Sequence, residues 1–178
     1  MTAYVFLAEG FEEVEAPHTI EARFAPDQYE LIVESRRGEA TPPAGAHLYE
    51  HGTEVEARGA AAPVASGQNE RMRYVVTGWS GAGSAPARGT GTVARFTMTQ
   101  DSEIHWEWAV EFYFEGAASE GGTVEQKSGW YRTGSEVVLA AQAAPVSRFV
   151  GWSGDLPADQ KQANPLRLKM DKPRKVTA

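Results

Sequence analysis

Residues 103–114 alternate without a Gly or Pro to interrupt them. Ile104, Trp106, Trp108, Val110, Phe112 and Phe114 fall on one side, and Glu103, His105, Glu107, Glu111 and Tyr113 on the other. A period of two sends successive side chains to opposite faces, which is the geometry of a half-buried β-strand and incompatible with a helix. Twelve residues at about 3.3 Å each reach roughly 40 Å, about twice the usual strand. The run therefore predicts one long strand, or two strands sharing a stiff joint, and whatever lies on either side must be built onto it.

Shorter alternations surround it. Tyr29, Leu31 and Val33 oppose Glu30 and Glu34; Val55 and Ala57 oppose Glu54, Glu56 and Arg58; Met72, Tyr74 and Val76 oppose Arg71 and Arg73; Leu166, Leu168 and Met170 oppose Arg167 and Lys169. Clusters of Gly, Pro and Ser separate these runs at residues 41–45, 60–67, 81–91 and 155–165. Phe11–Arg23 is the one moderate helix candidate, and Pro17 argues against an unbroken helix there. The pattern predicts an all-β chain.

The chain also repeats itself. Gly78-Trp79-Ser80-Gly81 recurs as Gly151-Trp152-Ser153-Gly154. Tyr49, Gly52 and Val55 match Tyr131, Gly134 and Val137 at one constant offset, while Phe96, Met98 and Ile104 match Leu168, Met170 and Val176 at a shorter one. The changing offset places the length differences in loops, chiefly the long Arg58–Arg71 insert against its short counterpart Ala140–Arg148. Ile20, Ala22 and Phe24 match Ile104, Trp106 and Trp108 in the same way, so the chain is expected to open in the tail of a preceding copy. The predicted organisation is a repeat tail at 1–26, one small antiparallel β module at 27–109 and a second, C-terminally incomplete one at 110–178, joined end to end.

The order of Gly52-Thr53-Glu54-Val55 or Gly134-Ser135-Glu136-Val137, an aromatic strand into Gly-Trp-Ser-Gly, Asn164-Pro165-Leu166 to Met170-Asp171, and Lys175-Val176-Thr177-Ala178 resembles the divergent internalin B-repeat family. The resemblance covers residues 27–178 and is closest over 130–178. It implies a small β-rich module, arrayed in tandem in large bacterial secreted or surface proteins, with spacer, stalk or adhesive roles and no catalytic residues to carry over. The first copy departs from the pattern where Ala82–Gly91 replaces the Asp and Asn-Pro segment. Residues 3–16 are similar to the first strand and turn of the DJ-1/PfpI superfamily. That chemistry needs a nucleophilic cysteine and the chain has none, so the reading is rejected.

No site chemistry emerges from the remaining motifs. Gly-Trp-Ser-Gly is one residue short of a Gly-x-Ser-x-Gly elbow and has no strand-turn-helix context. It reads as a turn whose glycines permit positive φ, with Trp79 and Trp152 capping small cores. Gly81–Pro86 lacks the third Gly and the helix of a dinucleotide site and reads as a flexible loop. Of His18, His47, His51 and His105 only His47 and His51 are close, and Gly45 and Gly52 bracket them, which points to surface loops rather than a metal pair. Asp155 and Asp159 are two acids where a Ca²⁺ loop supplies more. Glu54, Glu56, Glu103 and Glu107 read as solvated strand faces and not as a glycosidase pair. Asn69 and Asn164, both expected in loops, are the only asparagines a Lys–Asn isopeptide bond could use. Trp79, Trp130, Tyr131 and Trp152 would form a sugar-stacking platform only if they were exposed and coplanar.

A net charge of −7 and the lack of a basic stripe disfavour nucleic acid as a partner, and no apolar run has the length of a membrane span. Residues 1–15 have no secretory signal pattern, and the absence of Cys removes thiol chemistry and disulfides. The reading is a noncatalytic spacer, stalk or adhesive segment of an extracellular or cell-surface bacterial protein. It carries no catalytic, metal or cofactor residues. Its partners are neighbouring repeats of the same chain, with another protein or a surface glycan as further candidates. The alternatives are a carbohydrate-binding module using exposed Trp and Tyr, and an accessory domain of a secreted enzyme.

Overall fold

The computed structural model describes residues 27–67, 70–125 and 128–178. The expected repeat tail, the Phe11–Arg23 helix candidate, the DJ-1-like segment, His18 and Asn69 lie outside the described residues. The first part of the chain forms β1 (Gln28–Glu34), β2 (Gly45–Glu50), β3 (Glu54–Arg58), β4 (Val64–Ala65), β5 (Met72–Ala82), β6 (Arg88–Thr90) and β7 (Val93–Thr97). The uninterrupted alternation becomes one strand, β8 (Ser102–Ala117). Beyond it come β9 (Gly122–Val124), β10 (Gly129–Arg132), β11 (Glu136–Leu139), β12 (Ala141–Ala143), β13 (Ser153–Gly154), β14 (Leu166–Lys169) and β15 (Arg174–Thr177), with one 3-10 turn at Ala158–Gln160. The described residues are all-β, in one nine-stranded sheet that runs through β8 and three two-stranded sheets, without a closed barrel among them.

The sequence repeat is a repeat of strand pairings. β1 runs antiparallel to β2 with Tyr29 opposite Tyr49, and β8 runs antiparallel to β10 with Phe112 opposite Tyr131. β3 pairs with β7 through Val55 and Phe96, and β11 with β14 through Val137 and Leu168. The end of β5 lies beside β8 with Gly81 opposite Ile104, and β13 beside β15 with Gly154 opposite Val176. Two pairings depart from the antiparallel expectation. β1 is parallel to β8, Leu31 opposite Ser102, and β15 is parallel to β8, Phe114 opposite Arg174. β8 thus closes the first set of strands with its first half and opens the second set with its last half.

Two buried clusters follow. The first gathers Leu31, Val33, Val55, Ala57, Trp79, Ala94, Met98, Ile104 and Trp106; the second gathers Phe114, Val137, Leu139, Trp152, Leu166, Leu168, Met170 and Val176. Each fully buried Val, Leu, Ile, Phe or Met side chain contributes about 1.5–3 kcal/mol through removal from water. Ile104 and Trp106 enter one core and Phe114 the other, while residues 108–113 between them are half-buried on both faces. One strand therefore carries two cores.

The tetrapeptide differs between its copies. Trp79 and Trp152 are both buried, as core caps should be. Gly78-Trp79-Ser80-Gly81, however, is no turn: it lies inside β5, at a bulge between Val76 and Gly78, paired with β6 on one side and β8 on the other. Gly78 is required there by space, since a Cβ on it would stand 2.1 Å from the Gly89 carbonyl oxygen. Only the second copy uses the positive φ that a turn requires, at Gly151 (+153°) and Gly154 (+105°). Gly81–Pro86 also differs from the flexible loop expected. It forms a tied turn in which the Ser84 N–H donates to Ser102 Oγ (2.7 Å) and Ser84 Oγ accepts from the Thr99 and Gln100 amides at 2.9 and 3.2 Å.

Candidate functional site: the joint on the shared strand

The residues singled out for chemistry are dispersed. The His47 Nε2 lies 2.7 Å from the Pro43 carbonyl, His51 packs edge-on against Tyr29, and His105 lies between Glu34 (2.9 Å) and Glu103 (3.5 Å). Among the described residues no three His, Cys, Asp or Glu side chains are placed to hold a metal ion. The Asp155 carboxylate accepts the Lys175 amide at 3.1 Å, and Asp159 sits apart in the 3-10 turn. Asn164 mimics a strand partner: its Oδ1 accepts the Ala141 amide (3.0 Å) and its Nδ2 donates to the Ala141 carbonyl (2.9 Å). Glu54, Glu103 and Glu107 are exposed. Glu56 is held by Arg95 and Arg58, and the Arg95 hydrogen bond, opposed by desolvation, brings its carboxyl below the ordinary value.

Trp79, Trp130, Tyr131 and Trp152 form no flat platform. Trp79, Trp106 and Trp152 belong to the cores, Arg37 stacks on Tyr74 at 3.7 Å, and Arg73 covers Trp130 at 4.3 Å. Every aromatic pair among the described residues is edge-to-face. A groove of about 730 Å³ is lined by Tyr74, Trp106 and Trp108 with Glu34, Arg37 and His105, so charges of both signs already meet in it.

Side chains do converge where β8 passes from one core to the other. Glu111, Tyr113 and Glu115 share one face, because they are two residues apart on a strand. Arg73, opposite Glu111 on β5, sends two nitrogens to Glu111 Oε2, both at 2.8 Å. The Arg73 guanidinium also lies over Trp130, which stands opposite Tyr113 on β10 and meets its ring edge-on at 5.3 Å. Arg71 reaches the Tyr113 ring (5.5 Å), Glu115 (3.3 Å) and the Arg174 carbonyl (3.1 Å). Lys175, opposite Glu115 on β15, closes the row at 2.7 Å. The Lys175 hydrogen bond, working against desolvation and helped by the charges of Lys175 and Arg71, holds the Glu115 carboxyl below its ordinary value.

This row joins groups from both sets of strands, all side chains except the Arg174 carbonyl. Arg71 and Arg73 arrive with the first set; Trp130, Arg174 and Lys175 arrive with the second; β8 supplies the acids and Tyr113 between them. Such pairs are modest where exposed, but Glu111 and Arg73 are largely covered (15% and 29% exposed), and a guanidinium on an indole adds about 0.5–2 kcal/mol. The arrangement ties the two sets of strands together through charged and aromatic contacts along one face of β8. Arg71, Arg73, Glu111 and Tyr113 were legible only as one face of their alternations, Trp130 as a candidate for sugar stacking and Lys175 as part of the repeated motif. The available signal was charge complementarity: Arg71-x-Arg73 on one strand against Glu111-x-Tyr113-x-Glu115 on another.

Residues 115–178 match the family model of the divergent InlB B-repeat domain, as the resemblance over the second copy implied. No curated protein and no solved structure matches the chain.

Proposed function

We propose that this chain, whose residues 115–178 belong to the divergent InlB B-repeat family, is a noncatalytic, load-bearing spacer segment of a bacterial surface or secreted protein. In this reading the first set of strands is a divergent copy of the same module, and the boundary between modules falls near residues 109–110 of β8. The observation that carries the proposal is the parallel pairing of the strands by which the chain enters and leaves each set. β1 and the first half of β8 pair over four residues, as do the last half of β8 and β15. Tension along the chain pulls adjacent parallel strands lengthwise past each other. All the ladder bonds are then loaded together instead of opening one by one, and the shared strand passes the load from core to core.

Single-molecule pulling tests this directly. The chain has no cysteine, so introduced cysteines are unique handles. Handles at Asp27→Cys and Ala178→Cys shear both parallel pairs. Handles at Asp27→Cys and Asp101→Cys sit at the same end of β1 and β8 and peel them apart. The shearing geometry should rupture at distinctly higher force than the peeling one; equal forces would overturn the load-bearing reading.

A further inference from the structure

The two sets of strands differ in the approach to the tetrapeptide. In the first, Tyr74, Val75 and Val76 of β5 pair with Val110, Ala109 and Trp108, the part of β8 that runs on beyond the first core. Their counterparts before the second tetrapeptide, Ser147, Arg148 and Phe149, belong to no strand. This stretch carries Val146 and Val150, two of the most exposed large apolar side chains (110% and 75%). Val146 is also held at φ +64°, a conformation that a β-branched residue avoids, whereas its counterpart Arg73 is extended in β5.

Beside this stretch lies a cavity of about 260 Å³, lined by Gly121, Ala141, Ala143, Phe149, Val150 and Ala178. The corresponding place in the first set is covered at Gly38 by side chains of that set. Gly38, positive in φ like its counterpart Gly121, lies under Val64 of β4 and the Trp108 indole; a Cβ there would stand 2.8 Å from Val64 Cγ2 and 3.0 Å from Trp108 Cη2. Ala178 occupies the position of Trp106, and the N–H of Ala178 donates to the Ala117 carbonyl at 3.0 Å, so the β15 ladder already extends one residue past Thr177. The counterpart of Trp108 would stand two positions beyond Ala178.

We propose that the cavity and the unpaired edge at residues 146–150 are the seat of the opening strand of an adjoining repeat. That strand continues β15, pairs with Ser147–Phe149, and places an apolar aromatic two residues beyond Ala178 in the cavity. The occupant is a repeat of this chain's own kind, because the same contact is made once within the chain, by Trp108 on Gly38 and Val76. The proposal rests on the array reading above, but its test is independent of force.

The test copies residues 107–112 after Ala178, placing Trp two positions beyond it, and compares this chain with one carrying a Gly-Ser extension of equal length. A third chain carries the copy with its Trp replaced by Ser. Amide hydrogen exchange at residues 147–150 should slow by at least about tenfold with the Trp-bearing copy and in neither other chain. Equal exchange in all three chains overturns the seat. Slowing that survives the Trp replacement overturns the aromatic anchor, leaving edge pairing alone. Slowed exchange together with equal forces in the two pulling geometries would retain the seat while discarding the load-bearing role.

Discussion

Trp79 lies across Gly89 so closely that a Cβ on that glycine would stand 2.1 Å from the indole, and a Cβ on the neighbouring Gly78 would stand equally close to the Gly89 carbonyl oxygen. The first core is closed by a tryptophan laid flat on backbone, and both glycines are fixed by contact. Gly91 is the useful contrast, with φ +92° and open space around a prospective Cβ. Gly91→Ala should cost only the left-handed backbone penalty, about 1–2 kcal/mol. Gly78→Ala must part β5 from β6 and should cost more, on the order of 3 kcal/mol or above, as overpacking against backbone does. Equilibrium denaturation followed by Trp fluorescence orders the two, and equal costs would show that β6 moves freely. The same residues mark how far sequence reading reached. A buried Trp in each tetrapeptide was legible from its size and its repetition. Why Gly78 is glycine was not, because the constraint comes from Gly89, on a different strand, whereas Gly151 carries the positive φ that a local reading expects.

β8 is where local pattern and long-range pairing part company. Its unbroken alternation announced one long strand, or two sharing a stiff joint, and the structure has the single strand; Leu31, Val33, Val55, Leu166 and Leu168 were legible as inward because alternation reports a face directly. Alternation does not report a partner. The parallel pairing of β1 with β8 joins segments far apart in sequence, and the two-residue β4 and β13 are too short to show a period. The charge row on β8 belongs to the same class, since Arg71 and Arg73 read as solvated until β5 is laid beside Glu111 and Glu115. It also gives the element a pH dependence. The Glu115 carboxyl titrates below 4.5 in the folded chain, chiefly because Lys175 hydrogen-bonds its charged form. A carboxyl lowered by folding binds fewer protons folded than unfolded, so its stabilisation is present above the unfolded value and lost as pH falls through the folded one. Melting temperature should therefore decline as pH drops below about 4.5, and Glu115→Gln should flatten part of that decline while leaving the lowest pH little changed. A variant that tracks the parent chain at every pH would show that the row does not couple β15 to β8.

At the scale of the molecule, two cores built on one strand should not unfold independently. Separation of the cores would require β8 to break between Trp106 and Phe114, where residues 108–113 are half-buried on both faces and β5 and β10 flank the strand. Tyr113 donates its N–H to the Arg71 carbonyl at 2.8 Å, so the odd-numbered residues of β8 aim their amides at β5, and Ala109, opposite Val75, is one of them. Ala109→Pro removes that donor and places a ring against the neighbouring strand, in the middle of a sheet where Pro is not accommodated. Neither core loses a side chain, since Ala109 belongs to neither cluster. Calorimetry should show one transition for the parent chain and two for Ala109→Pro, with Ala109→Val, which keeps the amide, retaining one. If the parent chain already melts in two steps, the joint transmits little and the modules act as beads. If Ala109→Pro still melts in one, the coupling runs through the Arg73–Glu111–Trp130 contacts and not through the backbone of β8.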